Sequence, residues 1–190
     1  NLVSTLRKYN DGTDVVATDV YPVIPRGIRN QYALWPDGQQ GDFLNETVSQ
    51  VGQYVDKMRA VAGPSKPVFM VLQGFAWESI QKEPDARMML YPTVAQARFM
   101  ALQSVVHGAN GILYWGLHLG PEGNPAWQAA RAVAAELKGL ASELAARPLE
   151  RKLTVEYFDT GHSLDRGIAW TLRPSKDGAV LIAVNEDKNP

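Results

Sequence analysis

Two apolar runs organise the chain. Pro67-Val68-Phe69-Met70-Val71-Leu72 leads into Gln73-Gly74-Phe75-Ala76-Trp77-Glu78, and Gly111-Ile112-Leu113-Tyr114 leads into Trp115-Gly116-Leu117-His118. Neither run alternates polar with apolar, which predicts parallel strands buried on both faces. Elsewhere the apolar residues recur with the spacing of a helix. Val48, Val51, Val55, Met58 and Ala62 mark an amphipathic helix closed by Gly63-Pro64. Ala97, Met100, Ala101, Val105 and Ala109 mark a second, with Thr93 as its N-cap. Ala129, Val133, Leu137, Leu140 and Leu144 mark a third over 125–146. Upstream, Leu2, Val3 and Leu6 read as a helix end before an Asn10-Asp11-Gly12 turn, and 14–21 as a short buried strand stopped by Pro22. The order β-α-β-α-β-α predicts an α/β fold with a parallel sheet.

The pattern changes towards the C-terminus. Runs over 153–158, 168–172 and 180–184 are β-type and separated by turn signals, with Ser175-Lys176-Asp177-Gly178 predicting a hairpin between the last two. The expected organisation is a parallel α/β unit over 1–147 and the start of a small antiparallel β domain over 148–190. Two long loops interrupt the first unit. The one over 24–42 carries Pro25, Gly27, Tyr32, Trp35, Pro36, Gly38 and Gly41, and the other spans 74–92. Loops of that length are usually functional or disordered.

Composition narrows the function classes. With 45% hydrophobic and 21% charged residues the chain reads as an ordinary globular protein. A formal net charge of −1 gives no electrostatic footprint for nucleic acid or an anionic membrane. The absence of cysteine excludes disulfides and thiolate metal sites but leaves the compartment open. No apolar run approaches the roughly 20 residues that span a bilayer. The chain starts at Asn1 without Met and stops at Asn189-Pro190 just after a strand-like run, so it is expected to be a piece of something longer. His107, His118 and His162 do not have metal-site spacing. Dinucleotide, P-loop and Gly-x-Ser-x-Gly motifs are missing. Asn45-Glu46-Thr47 is a formal glycosylation sequon without a supporting context.

Three strand ends carry a family resemblance: Thr18-Asp19-Val20-Tyr21-Pro22, Lys66 through Gln73, and His107 through Trp115. Together with the Tyr91-Pro92-Thr93 helix entry and the β tail, they resemble the last three units of a glycoside-hydrolase-like (β/α)8 (TIM) barrel followed by a β-sandwich. The resemblance makes the three strands the sixth, seventh and eighth of the barrel, implies a site at their carboxyl ends, and calls for no cofactor. It also favours a secreted or periplasmic setting.

Glycoside hydrolysis needs two carboxyl groups, about 5–5.5 Å apart for retention and about 6.5–9.5 Å for inversion. In the resembled barrels the nucleophile ends the seventh strand, where this chain has Gln73, an amide that cannot attack. The carboxylates left as catalytic candidates are Glu78, in the loop beyond, and Asp19, for which anchoring a loop or hydrogen-bonding the substrate is the alternative role. Trp115, at the end of the eighth-like strand, would offer a flat apolar face to a sugar ring, or fill the core. Tyr21, Trp35 and Trp77 would complete an aromatic cleft or pin the long loops, and His118 is a minor candidate. Gln73 would donate to a sugar hydroxyl or a partner carboxylate, since a buried amide needs partners. His107 reads as a helix-end residue. Three roles fit: hydrolysis of an oligo- or polysaccharide, carbohydrate binding without catalysis, or a structural half-barrel that pairs with another copy or with its missing half. Neither nucleic acid nor a membrane is expected as partner.

Overall fold

The computed structural model describes residues 2–25, 48–120, 122–157 and 167–187. Within them the order is α1 (Val3–Arg7), β1 (Val16–Val20), α2 (Gln50–Ala62), β2 (Val68–Gln73), α3 (Val94–Val106), β3 (Gly111–Trp115), α4 (Pro125–Gly139), α5 (Ala141–Ala145), β4 (Ile168–Ser175) and β5 (Gly178–Asn185). The first three strands form a parallel sheet in the order β1-β2-β3, and β4 and β5 form an antiparallel hairpin. The protein is therefore mixed α/β.

Local signals set the helix ends. Thr93 and Gln96 close a reciprocal capping box at α3, the Gln96 N–H donating to Thr93 Oγ1 at 3.1 Å and the Thr93 N–H to Gln96 Oε1 at 3.0 Å. Asn124 accepts the Ala126 and Trp127 N–H groups at α4, with Pro125 as its first residue. One helix predicted over 125–146 is in fact two. It breaks at Leu140, just after Gly139, the poorest helix former in the segment apart from its opening proline.

Register places Val16, Thr18 and Val20 beside Val68, Met70 and Leu72, and these beside Ile112 and Tyr114. That face carries the main core, where Val20, Met70 and Leu72 meet Val51 and Val55 of α2, Met100 and Ala101 of α3, and Ala129 and Val133 of α4. Each large side chain buried there contributes about 1.5–3 kcal/mol. A smaller cluster joins Val3 and Leu6 of α1 to Met58, Val61 and Val68.

The opposite face corrects the expectation of strands buried on both sides. Burial alternates along β1 and β2, and on β3 Leu113 is 51% and Trp115 42% exposed. α2, α3 and α4 pack on the first face, and no helix among the described residues covers the second. Phe69 lies across this open face on Gly111, where a Cβ would meet its ring at 2.8 Å.

The hairpin turns through Lys176-Asp177 as expected, with Ser175 opposite Gly178. Ile182 and Val184 of β5 pack on Leu102 and Val105 of α3, joined by Leu137, Leu140 and Leu144. The run predicted as a strand over 153–158 forms none across 153–157. It touches the hairpin only locally, Tyr157 Oη accepting the Ile168 N–H at 2.9 Å.

Beyond β5, buried Glu186 ties the hairpin to the helices. Its Oε1 meets His107 Nε2 at 2.8 Å and Gln103 Nε2 at 2.5 Å, while His107 Nδ1 meets Asp56 Oδ1 at 2.9 Å. Both ring nitrogens face carboxylate oxygens, an arrangement that only the doubly protonated imidazolium satisfies. Burial opposes that charge, but hydrogen bonds and charge from Glu186 and Asp56 outweigh it and raise the His107 pKa. The bridge requires Gly52 on α2, since a Cβ there would lie 2.5 Å from His107 Nε2.

Candidate functional site

The carboxyl ends of the three strands converge on an aromatic cluster. Trp115 stacks on Tyr21 at a centroid distance of 5.6 Å and 27° between planes. Phe75 meets both edge-on, at 5.0 Å from Trp115 and 5.1 Å from Tyr21. Trp77 closes on Phe75 at 5.3 Å and on Tyr21 at 6.2 Å. Pairs in these geometries add about 0.5–1.5 kcal/mol beyond their buried area. Gly116 makes the closure possible. Its φ of 86° turns the chain out of β3, and a Cβ there would meet Phe75 Cβ at 2.8 Å.

Each candidate site residue has a defined place, except Trp35, which lies outside the described residues together with nearly all of the 24–42 loop, the sequon at Asn45 and His162. Tyr21 follows directly on β1. Burial, then the charge of Asp19 and its hydrogen bond to the phenol, hold the Tyr21 pKa far above its ordinary value. The hydroxyl therefore stays a donor to the Asp19 carboxylate. Asp19 itself is solvent-facing, in one row of the open sheet face with Val71 and Leu113. Trp77 donates its indole N–H to Tyr21 O at 3.1 Å, which pins the 74–92 loop to the end of β1. His118 is exposed, its ring edge-on to Trp115 at 6.2 Å.

Gln73 departs from its expected role. It is only 1% exposed, and its amide pairs with the Val23 backbone much as an adjoining strand would. The Val23 N–H donates to Gln73 Oε1 at 2.8 Å, and Gln73 Nε2 donates to Val23 O at 2.9 Å and to Phe75 O at 3.0 Å. Both amide protons are used, so the partners expected from a sugar or a carboxylate are backbone carbonyls instead. Glu78 is likewise enclosed, 1% exposed in a 3-10 turn over Trp77–Ile80, its Oε1 accepting the Asp85 N–H at 2.8 Å. That contact draws the 74–92 loop together. In this arrangement Glu78 is an anchor shielded from solvent.

Phe75 is the member that sequence reasoning passed over. It is fully buried and touches three of the cluster's other rings. Its position two residues past a strand ending in Gln73-Gly74 was the available signal.

The site thus offers a partly exposed indole stacked on a tyrosine whose hydroxyl is held by a solvent-facing carboxylate. Such a surface presents an apolar face and a hydrogen-bond acceptor side by side. Among the described residues no group of three or more His, Asp or Glu side chains is placed to hold a metal ion, and no helix is long and apolar enough to cross a membrane. No family model, curated protein or solved structure matches the chain.

Proposed function

We propose that this protein binds a carbohydrate over the carboxyl end of its parallel sheet, as the C-terminal sector of a glycoside-hydrolase-like (β/α)8 barrel. The observation that carries the reading is Trp115, a strand-end indole left 42% exposed while Phe75 beneath it is fully buried. A pyranose presents C–H groups that pack on such a face and hydroxyls that would reach the Asp19 carboxylate. A barrel sector also accounts for helices on one face only, since the other face of each strand would line the barrel interior.

Of the two carboxylates, Asp19 is open to a ligand and Glu78 is not. Binding is therefore better supported than turnover. Hydrolysis would need Asp19 to work with a second carboxyl group across the glycosidic bond. Soluble oligosaccharides of several linkages, titrated against tryptophan fluorescence and followed by calorimetry, test the binding. Saturable quenching that Trp115→Ala weakens by about tenfold or more supports it. The absence of saturable binding by every sugar overturns it. Release of reducing ends by the wild type, lost in Asp19→Asn with affinity kept, would move the assignment to catalysis.

A second reading rests on the open face and the sheet edges. Among the described residues β1 and β3 each pair on one side only, and Leu113 of β3 stands exposed. Unpaired edges and apolar faces favour association with another chain. Light scattering decides this, a monodisperse monomer counting against it.

A further inference from the structure

At the other end of the sheet, behind the amino terminus of β3, lies a cavity of about 610 Å3. Its walls come from the last turns of α2 and α3, the start of β3, α4, the end of α5 and β4. Val105, Ile112, Leu137, Leu144 and Pro148 give it apolar patches within a mixed lining that includes Asn110, and two guanidinium groups, Arg59 and Arg173, face it with no carboxylate among the described lining residues. The volume lies within the range of about 300–1,000 Å3 typical of small-molecule sites.

Arg173 is the unusual member. It sits in β4 with only 7% of its surface exposed. Its Nη1 donates to Ala146 O at 2.8 Å and, at 3.3 Å, to Leu144 O at the end of α5. Its Nε is buried without a partner, and no acidic side chain among the described residues pairs with it. Burial alone acts on the group, lowering its pKa from a value too high for the charge to be lost. Two carbonyls at a helix end offset part of the cost through the helix dipole, but they supply no counter-charge. Enclosing an unpaired guanidinium is expensive, and buried charges are as a rule paired. Arg59, in the last turn of α2, donates to Lys66 O at 3.1 Å and is likewise without an acidic partner.

We propose that this cavity is a binding site for a small organic anion, a carboxylate or phosphate group held by Arg173 and Arg59 and an apolar body lying against Ile112, Leu137 and Leu144. The charged group would bring the counter-charge that the fold leaves out, and the apolar walls would select a ligand with a hydrocarbon or aromatic portion. The site is independent of the carbohydrate reading, since it shares no residue with the aromatic cluster.

The test is an NMR titration of the full chain with four probes: phenylacetate, phenyl phosphate, 2-phenylethanol and inorganic phosphate. One or both of the charged aromatic probes should shift the Arg173 Nε–H resonance and the methyl groups of Leu137 and Leu144 along one saturation curve. Which of the two binds tighter tells a carboxylate site from a phosphate site. The neutral alcohol should bind at least about tenfold more weakly, as the loss of a charge-assisted hydrogen bond requires. Arg173→Met removes a group that also caps α5, so Arg59→Met is the companion variant. It should keep the wild-type spectrum elsewhere and weaken the preferred probe about fivefold or more. Equal affinity for the alcohol, tighter binding of inorganic phosphate than of either aromatic anion, or no saturable shift with any probe would overturn the proposal.

Discussion

On one face of the parallel sheet Val20, Met70 and Leu72 are fully buried beneath three helices, whereas on the other Leu113 and Trp115 stand about half in solvent. Both faces carry large apolar side chains, although the open one also carries Asp19. What differs is the layer packed on them, and an apolar side chain gains stability only from the surface it removes from water. The first face therefore holds the fold together. The second, stabilising little by itself, carries the features available to a ligand or a partner.

The sharpest way to break this contrast is a pair of truncations. Met70→Ala should cost about 2–5 kcal/mol by opening a cavity in the main core. Leu113→Ala, on the open face, should change stability by no more than about 0.5 kcal/mol. Urea unfolding of both variants checks it, and a comparable loss from Leu113→Ala would mean that the open face is covered in solution.

Gln73 tests the boundary between the faces. Gln73→Glu replaces two donated hydrogen bonds with an acceptor facing the carbonyls of Val23 and Phe75, at a cost of about 3 kcal/mol at pH 7. The new carboxyl group would have its folded pKa raised above the unfolded value of about 4.3. The variant should thus approach wild-type stability in acid, and lose it as the pH rises from about 4.3 through the folded value. Chemical denaturation at several pH values reads this out, and a loss that does not depend on pH would refute the clamp.

The His107 bridge extends the covered side to the hairpin. Its raised pKa means that its contribution is complete below the unfolded value of about 6.5 and disappears as the pH rises through the folded value. His107→Ala should cost about 1–2 kcal/mol at acid pH and flatten that pH dependence. An NMR titration of the imidazole that gave a pKa at or below about 6.5 would contradict the geometry. The smallest effect belongs to the exposed pair of Arg98 Nε and Glu136 Oε2, 2.7 Å apart between α3 and α4. Arg98→Ala should cost at most about 0.5 kcal/mol, and less as salt is added, measured by thermal unfolding in low and high salt.

Most elements were legible in the sequence because their periods are local. The helices at 48–62 and 93–106, the strand ends at Tyr21 and Trp115, and the Ser175–Gly178 turn each depend on neighbouring residues. The open face was not legible, because the run Val68 to Leu72 looks the same whether its second face is covered or bare. Gln73 and Glu78 were recognised as polar residues near a strand end. Their partners were hidden, since Val23 is fifty positions from Gln73. The helix break at Leu140 had a local cue in Gly139, which the apolar stripe running through it obscured, whereas the β-type run at 153–157 has no partner strand among the described residues. His107 read as a helix end, which it is, but nothing nearby announces the carboxylates that meet it. Arg173 directly follows the β-type run over 168–172, like many a surface arginine, and only the third dimension shows that it is enclosed.

The Glu186 contact also has a consequence for the order in which the molecule is made. His107 and Glu186 are separated by 79 positions, with all of α4, α5 and the hairpin between them. Synthesis proceeds from the N-terminus, and early elements begin to fold before later ones emerge. The parallel sheet and its helices are thus translated while His107 and Gln103 still face water where Glu186 will sit. Among the described residues this carboxylate is one of the last to leave the ribosome, and it joins the hairpin to α3 and, through His107, to α2.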